Sequence, residues 1–212
     1  MLKARLIPCL LLHNSALVKS RRFNELDYVG DPINVVRIFN QLEVDELIFL
    51  DILASSKDHE PPFELLKQLT SECFMPFTYG GGINSVKVAK QLFNSGIEKI
   101  SLNSAAIENP TIISDIASKF GTQSIVASID VRKSILRAPK VVKGKGSTFT
   151  SLDPVKWACQ VEELGAGEIL LTAVDRDGTW SGLDIGLIKK VSRAVKIPVI
   201  ANGGVGSLND IA

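Results

Sequence analysis

Asp130 closes the apolar run IVASID, so a carboxylate stands where a buried strand meets its following loop. In that half-buried setting it can act as a general acid or base. Two glycine clusters, Gly80-Gly81-Gly82 and Gly203-Gly204, also follow apolar runs, each directly ahead of a predicted helix start. Glycine there lets backbone N–H groups approach an oxyanion, and a helix N-terminus adds unpaired donors and a favourable dipole. A pair of such sites would suit a ligand with a phosphate at each end. The alternative is a pair of tight turns, and recurrence of the clusters at matching positions favours phosphate. Arg5, Glu46, Lys99 and Glu168 form a third set, at or just before the starts of apolar runs and therefore at the opposite strand ends from the glycines. Alternating charges of that kind could pair into a salt-bridged plug. Spacing alone favours ordinary ion pairing that serves stability.

The elements that position these residues repeat. Asp31-Pro32 matches Asp153-Pro154, Glu46 to Phe49 matches Glu168 to Leu171, Pro76 matches Pro198, and Gly81-Gly82 matches Gly203-Gly204, all at an offset of 122 residues. That spacing is a duplicated half rather than a short solenoid repeat. Short apolar runs alternate with segments of helical period, which predicts βα units around a parallel sheet. Strands are expected near 4–11, 45–52, 75–79, 97–103, 123–130, 167–174 and 197–201, and helices near 33–42, 61–72, 85–95, 110–119, 154–164 and 184–195. Val35, Ile38, Phe39 and Leu42 should form one buried helix face, and Trp157, Val161 and Leu164 another. Asp31 and Asp153 are expected N-caps with Pro at the first helical position.

Seven strands and the start of an eighth unit predict an α/β fold of the TIM type, a (βα)8 barrel of two duplicated half-barrels that lacks strand eight. Residues 1–212 are read as one C-terminally truncated barrel domain. Two unpaired apolar edges then call for a covering partner, or the chain is a fragment. By the repeat, strand one and strand five set Leu11 opposite Asp130 as equivalents. The segments after those strands, residues 12–30 and 131–152, are expected to be long, basic βα loops on the face where barrel active sites sit.

The composition, 45% hydrophobic and 22% charged with a formal net charge of +1, fits a globular chain with a large core. It gives no electrostatic reason to expect nucleic acid or a membrane as partner. Cys9, Cys73 and Cys159 are odd in number and lie in apolar surroundings, which predicts reduced core thiols in a cytoplasmic protein. No apolar run reaches the ~18 residues that a membrane span needs. The opening MLKARLIPCLLL is broken by Pro8 and lacks the cleavage site of a signal peptide. No cofactor or metal ion is expected.

In order along the chain, RLIPCL, GDP, DELIFLDI, PFTYGGGI, EKISLNSAAIENP, SIVASID, WACQVEELGAGEILL, DRDGT and IPVIANGGVG resemble the cyclase subunit family of imidazole glycerol phosphate synthase over essentially the whole length. The resemblance implies a (βα)8 barrel that binds a bisphosphorylated substrate and takes ammonia from a glutaminase partner. It implies Asp130 as an acid/base group and Lys19 as the lysine of a mobile first loop. Gly82, Asn103 and Ser104 resemble one phosphate site, and Asp177, Gly178, Gly203 and Gly204 resemble the other. Arg5, Glu46, Lys99 and Glu168 match the family's charged ammonia gate, which reverses the spacing-only preference for a purely structural ring.

Leu11 departs from the family, whose cyclases carry an aspartate there as a second acid/base group. Loss of one such group lowers rates by about two to four powers of ten. The PCLLL pattern is similar to a paralogous subfamily that pairs with a glutaminase to amidate a surface-polysaccharide sugar. The leading expectation is therefore a subunit that receives and conducts ammonia, with weakened cyclase chemistry. The alternatives are a genuine cyclase, which converts phosphoribulosyl-formimino-AICAR phosphate and ammonia to imidazole glycerol phosphate and AICAR, and an inactive truncated paralogue. The related isomerase of the same pathway ranks lower, since it too uses an aspartate where Leu11 stands.

Overall fold

The computed structural model describes residues 5–54, 60–134, 137–144 and 146–211. Its strands are β1 (Cys9–His13), β2 (Ala16–Arg21), β3 (Asn24–Gly30), β4 (Leu47–Asp51), β5 (Phe77–Gly80), β6 (Lys99–Leu102), β7 (Ile125–Ser134), β8 (Arg137–Lys143), β9 (Thr148–Phe149), β10 (Glu168–Ala173) and β11 (Val199–Asn202). Its helices are α1 (Pro32–Gln41), α2 (Phe63–Glu72), α3 (Val86–Asn94), α4 (Ser104–Glu108), α5 (Thr111–Phe120), α6 (Pro154–Glu163) and α7 (Ile185–Ser192). The expected strands correspond to β1, β4, β5, β6, β7, β10 and β11.

Two predicted caps start their helices as the sequence requires. The Asp31 side chain accepts from Asn34 N, and Asp153 accepts from Val155 N and Lys156 N, with proline at the first turn in both cases. Each carboxylate satisfies amides that no helical carbonyl can reach.

The chain divides into two compact units, Met1–Lys19 with Asp27–Ser101, and Ser20–Leu26 with Leu102–Ala212. In the first, β1, β4, β5 and β6 run parallel, with Leu11 opposite Leu50, Leu50 opposite Gly80 and Gly80 opposite Ser101. In the second, β7, β10 and β11 run parallel, with Asp130 opposite Thr172 and Thr172 opposite Asn202. Leu50 and Thr172 differ by the repeat offset, as do Gly80 and Asn202. The register therefore makes Leu11 the counterpart of Asp130, as the sequence predicts. Each unit is α/β with the parallel strands and outer helices of a half-barrel.

Leu47, Ile48, Phe49, Leu66, Leu69, Phe77 and Leu92 fill the core of the first unit, where the Phe49 and Phe77 rings lie 4.9 Å apart. Ile113, Ile116, Val126, Ile129, Trp157, Val161 and Ile169 fill that of the second. The Trp157 and Val161 stripe is buried as expected, with Leu164 half-buried. The α1 stripe is not as predicted. Pro32 and Val36 face inward, while Ile38 is 53% and Leu42 is 64% exposed. Pro32 and Val36 are one turn apart, so burying that pair swings Ile38 and Leu42 toward solvent.

The two expected loops are largely hairpins. Asn14 and Ser15 have φ of 49° and 61°, and Arg22 and Phe23 have φ of 55° and 62°. Paired positive φ values make the two-residue turns that match strand twist, so β1, β2 and β3 follow one another with tight connections. Likewise β7 continues past Asp130 and folds back through β8, with Asp130 opposite Val142. Asp130 thus lies within a strand rather than at its end. The predicted strand at 4–11 begins only at Cys9. After Gly203-Gly204 the expected helix is a single 3₁₀ turn, Leu208–Asp210. Cys9, Cys73 and Cys159 are half-buried rather than fully in the core, and none forms a disulfide. No helix among the described residues is long and apolar enough to cross a membrane.

Candidate functional site

Asp130 is 9% exposed, on a strand paired on both sides. Asn103, the residue ahead of α4, donates from Nδ2 to Asp130 Oδ2 at 2.7 Å, and Thr172 stands beside Asp130 on β10. Burial disfavours the charged form and pushes the carboxyl up to about 6, against the opposing pull of Asn103 and Thr172. A carboxyl that exchanges its proton near neutrality suits general acid or base work. Asn103 does not cap its helix: its Nδ2 is turned to Asp130, and its Oδ1, the atom that could accept from the helix amides, is buried without a partner.

Asp177 sits in the turn after β10. Ser20 Oγ donates to its Oδ2 at 2.8 Å, and burial raises the carboxyl above its ordinary value against the pull of that donor. The Asp177 carbonyl accepts from Arg22 N at 2.9 Å. Next to it Gly178 has a φ of 65°, and a Cβ there would lie 2.2 Å from the Ser20 carbonyl oxygen. Only glycine permits that approach. A Cβ at Gly203 would meet Ala173 O at 2.7 Å, and one at Gly204 would meet Gly182 O at 2.3 Å. These glycines therefore let backbone segments touch, which is the turn-making role weighed in the sequence. The following amides of Gly206 and Ser207 are taken by Asp210 Oδ2, at 2.9 and 2.8 Å.

In the first unit Gly82 has a φ of 67° in the turn between β5 and α3, whose N-cap is Ser85. Lys19 lies on β2 rather than in a loop and is exposed. Leu11 is half-buried between Leu50 and Val18. At the other strand ends Glu46, 6% exposed, binds Lys99 Nζ through both carboxylate oxygens at 3.0 Å and also pairs with Arg5. Three members of the predicted charged ring are thus brought together within this unit. The fourth, Glu168, opens β10 in the second unit. Asn103 and Ser104, with Asp177, Gly178, Gly203 and Gly204, also belong to the second unit, whereas Gly82 belongs to the first.

The sequence reading passed over Thr172, Asn202 and Ser20. Asn202 Nδ2 donates to Thr172 Oγ1 at 3.2 Å, a side-chain bond between β11 and β10 beside Asp130. The repeat itself held the signal for two of them, because Leu50 and Gly80 become Thr172 and Asn202 in the second copy. Ser20 had no such signal, since its partner Asp177 is far away in sequence.

Comparison with known proteins places this geometry in context. The profile of the family described as histidine biosynthesis protein matches residues 5–212. A Pseudomonas aeruginosa protein provisionally named an imidazole glycerol phosphate synthase subunit is 48% identical over 211 residues, which cover 100% of this chain and 84% of the relative. A Leptospira borgpetersenii protein with the same provisional name is 47% identical over 212 residues, again 100% of this chain and 84% of the relative. The Alkaliphilus metalliredigens protein named imidazole glycerol phosphate synthase subunit HisF is 43% identical over 212 residues, with the same coverage.

Proposed function

Because this chain belongs to the histidine biosynthesis protein family, we propose that it is a cyclase-type subunit of imidazole glycerol phosphate synthase that receives ammonia from a glutaminase partner while its own ring-closing chemistry is weakened. The observation that carries the reading is the register that pairs Leu11 with Leu50 where Asp130 pairs with Thr172. One acid/base group remains and its counterpart is an isobutyl group. Leucine neither accepts nor donates a proton, so a reaction that needs two such groups loses about two to four powers of ten in rate.

The ammonia-receiving part is supported by the ion cluster of Arg5, Glu46 and Lys99 at the strand starts. Beside those starts, Leu42 and Phe74 precede β4 and β5, and Phe74 is 87% exposed. Asn40 ties this surface together, through Glu72 O at 2.7 Å and Phe74 N at 3.2 Å. An apolar patch beside a charged entry suits a docked protein. Lys19, Asp130 and the phosphate positions Gly82, Asn103, Ser104, Asp177, Gly178, Gly203 and Gly204 remain the residues proposed to meet a bisphosphorylated substrate. The ammonia is proposed to serve amidation of a surface-polysaccharide sugar, in keeping with the PCLLL segment.

A second reading is a genuine cyclase in which Asp130 suffices. It is favoured by the Asn103 hydrogen bond to that carboxylate and by its raised proton affinity. Ammonia-dependent formation of imidazole glycerol phosphate separates the two. Under the leading reading the chain works no faster than its Asp130→Asn variant, Leu11→Asp raises the rate, and the chain still stimulates glutamine hydrolysis by the partner. Turnover far above the Asp130→Asn control would decide for the genuine cyclase.

A further inference from the structure

Residues 20–26 bring an arginine to the turn after β10 and hold it there at four points. Arg22 N donates to Asp177 O at 2.9 Å and Arg22 Nε donates to Asp175 O at 3.2 Å, while the Arg22 carbonyl accepts from Arg132 Nη2 and Asn24 Nδ2, each at 3.2 Å. The next residue, Phe23, packs so closely on Gly146 that a Cβ there would stand 2.9 Å from its ring. Arg22 is exposed, and its two terminal nitrogens hydrogen-bond to nothing among the described residues. Arg132, from β7, is anchored on the same residue of the turn. Its Nε stands 3.8 Å from Asp175 Oδ1 and is buried without a hydrogen-bond partner. Two guanidinium groups therefore converge on Asp175, one at its carbonyl and one at its carboxylate, whose Oδ2 is already taken by Lys133 N at 2.6 Å. Like charges gathered in this way repel each other, and an anion beside them offsets that repulsion.

We propose that Arg22 and Arg132 form an oxyanion site for a phosphate monoester beside the Asp177-Gly178 turn. A guanidinium offers planar, paired donors that match phosphate oxygens, and one fixed in advance loses little freedom on binding. Backbone amides nearby do not do this work, since those of Gly206 and Ser207 are taken by Asp210. The other charged groups of the turn are also committed. Arg176 Nη1 donates to the carbonyls of Ser181 and Gly182, Lys133 pairs with Asp184, and Asp177 accepts from Ser20. The inference rests on the proposed bisphosphorylated substrate only for the identity of the phosphate. It gives that end of the ligand two positive charges, which the glycine turns do not supply.

Calorimetric titration of the full chain with inorganic phosphate at low ionic strength tests this. Saturable binding is expected, and Arg22→Gln, which keeps the backbone bonds, should weaken it about tenfold or more. Arg22→Lys should lose nearly as much, because a point charge lacks the planar fork. Either Arg22 variant reports if the other fails to fold. Arg132→Gln should weaken binding as well. Lys90→Gln removes an equal charge from an exposed position on α3 and should change nothing. Absence of saturable binding overturns the inference, as does an unmoved affinity in the Arg22 variants or an equal loss in Lys90→Gln. The bisphosphorylated substrate, added as a competitor, identifies the source of the phosphate without any turnover. If it displaces inorganic phosphate from the native chain, and does so more weakly in Arg22→Gln, the site holds one end of that substrate. If it displaces none, the oxyanion site stands for a different phosphate monoester and the substrate reading fails.

Discussion

Burial and hydrogen bonding pull the Asp130 carboxyl in opposite directions, and burial wins, leaving it at about 6. In the unfolded chain an aspartate titrates near 3.9. The folded state therefore holds this proton more tightly, and stability falls as pH rises from about 4 to about 6. The cost is fully present above that window and amounts to about 2–3 kcal/mol. Asp130→Asn removes the charge while keeping an acceptor for Asn103, so thermal unfolding at pH 8 should shift to higher temperature, with the difference vanishing toward pH 4. Equal unfolding temperatures at pH 8 would show that the carboxylate bears no such penalty. The buried carboxylate itself was legible in the sequence, because an acidic residue that follows five apolar or small ones is carried inward with their strand. Its supporting side chains were less so. Thr172 and Asn202 are polar residues inside apolar runs, and only register shows that they share a row with Asp130.

Strand starts are the place where the elements of the first unit meet their charges. Glu46 is nearly enclosed, and two cations compensate it from β6 and from the stretch ahead of β1. Removing one partner of a buried ion pair typically costs about 3–5 kcal/mol, since the remaining charge keeps its desolvation penalty. Lys99→Met should therefore lower the unfolding free energy from urea denaturation by an amount near the bottom of that range, because Arg5 still pairs with Glu46. Glu46→Gln should cost less than Glu46→Ala, and both are read by equilibrium denaturation. If the cluster also serves the partner, Lys99→Met should uncouple glutamine hydrolysis from binding at this surface. At the helix starts, Asp153→Ala should cost about 1 kcal/mol, with a smaller loss for Asp153→Asn, which keeps an acceptor for the free amides. The caps and strands were legible because Asp-Pro pairs and apolar runs are local signals. The hairpins were not. Arg22 and Phe23 adopt positive φ without being turn formers, so tertiary packing rather than local preference sets that turn.

Across the whole chain the repeat of 122 residues survives as register: the same strand pairs and the same capped helices occur in both units, with different side chains at equivalent places. Duplication conserved the backbone and freed the surface. On the first unit that freedom left Ile38, Leu42 and Phe74 exposed. Phe74→Asp should abolish co-purification with a glutaminase and leave the circular dichroism spectrum and unfolding temperature unchanged. Retained co-purification would move the docking surface elsewhere. Periodicity could not expose this patch, because an apolar stripe has the same spacing whether it faces a core or a partner. The second unit, for its part, includes Ser20–Leu26, a seven-residue excursion drawn from the other end of the chain. Its contact with Gly178 has no slack, since a single methyl group would be driven into the Ser20 carbonyl. Gly178→Ala is thus a one-carbon wedge, and its effect is on time rather than on chemistry. The Arg22 amide, now shielded by the Asp177 carbonyl, should trade its hydrogen for deuterium many times faster, while the amides of β10 keep their native clock.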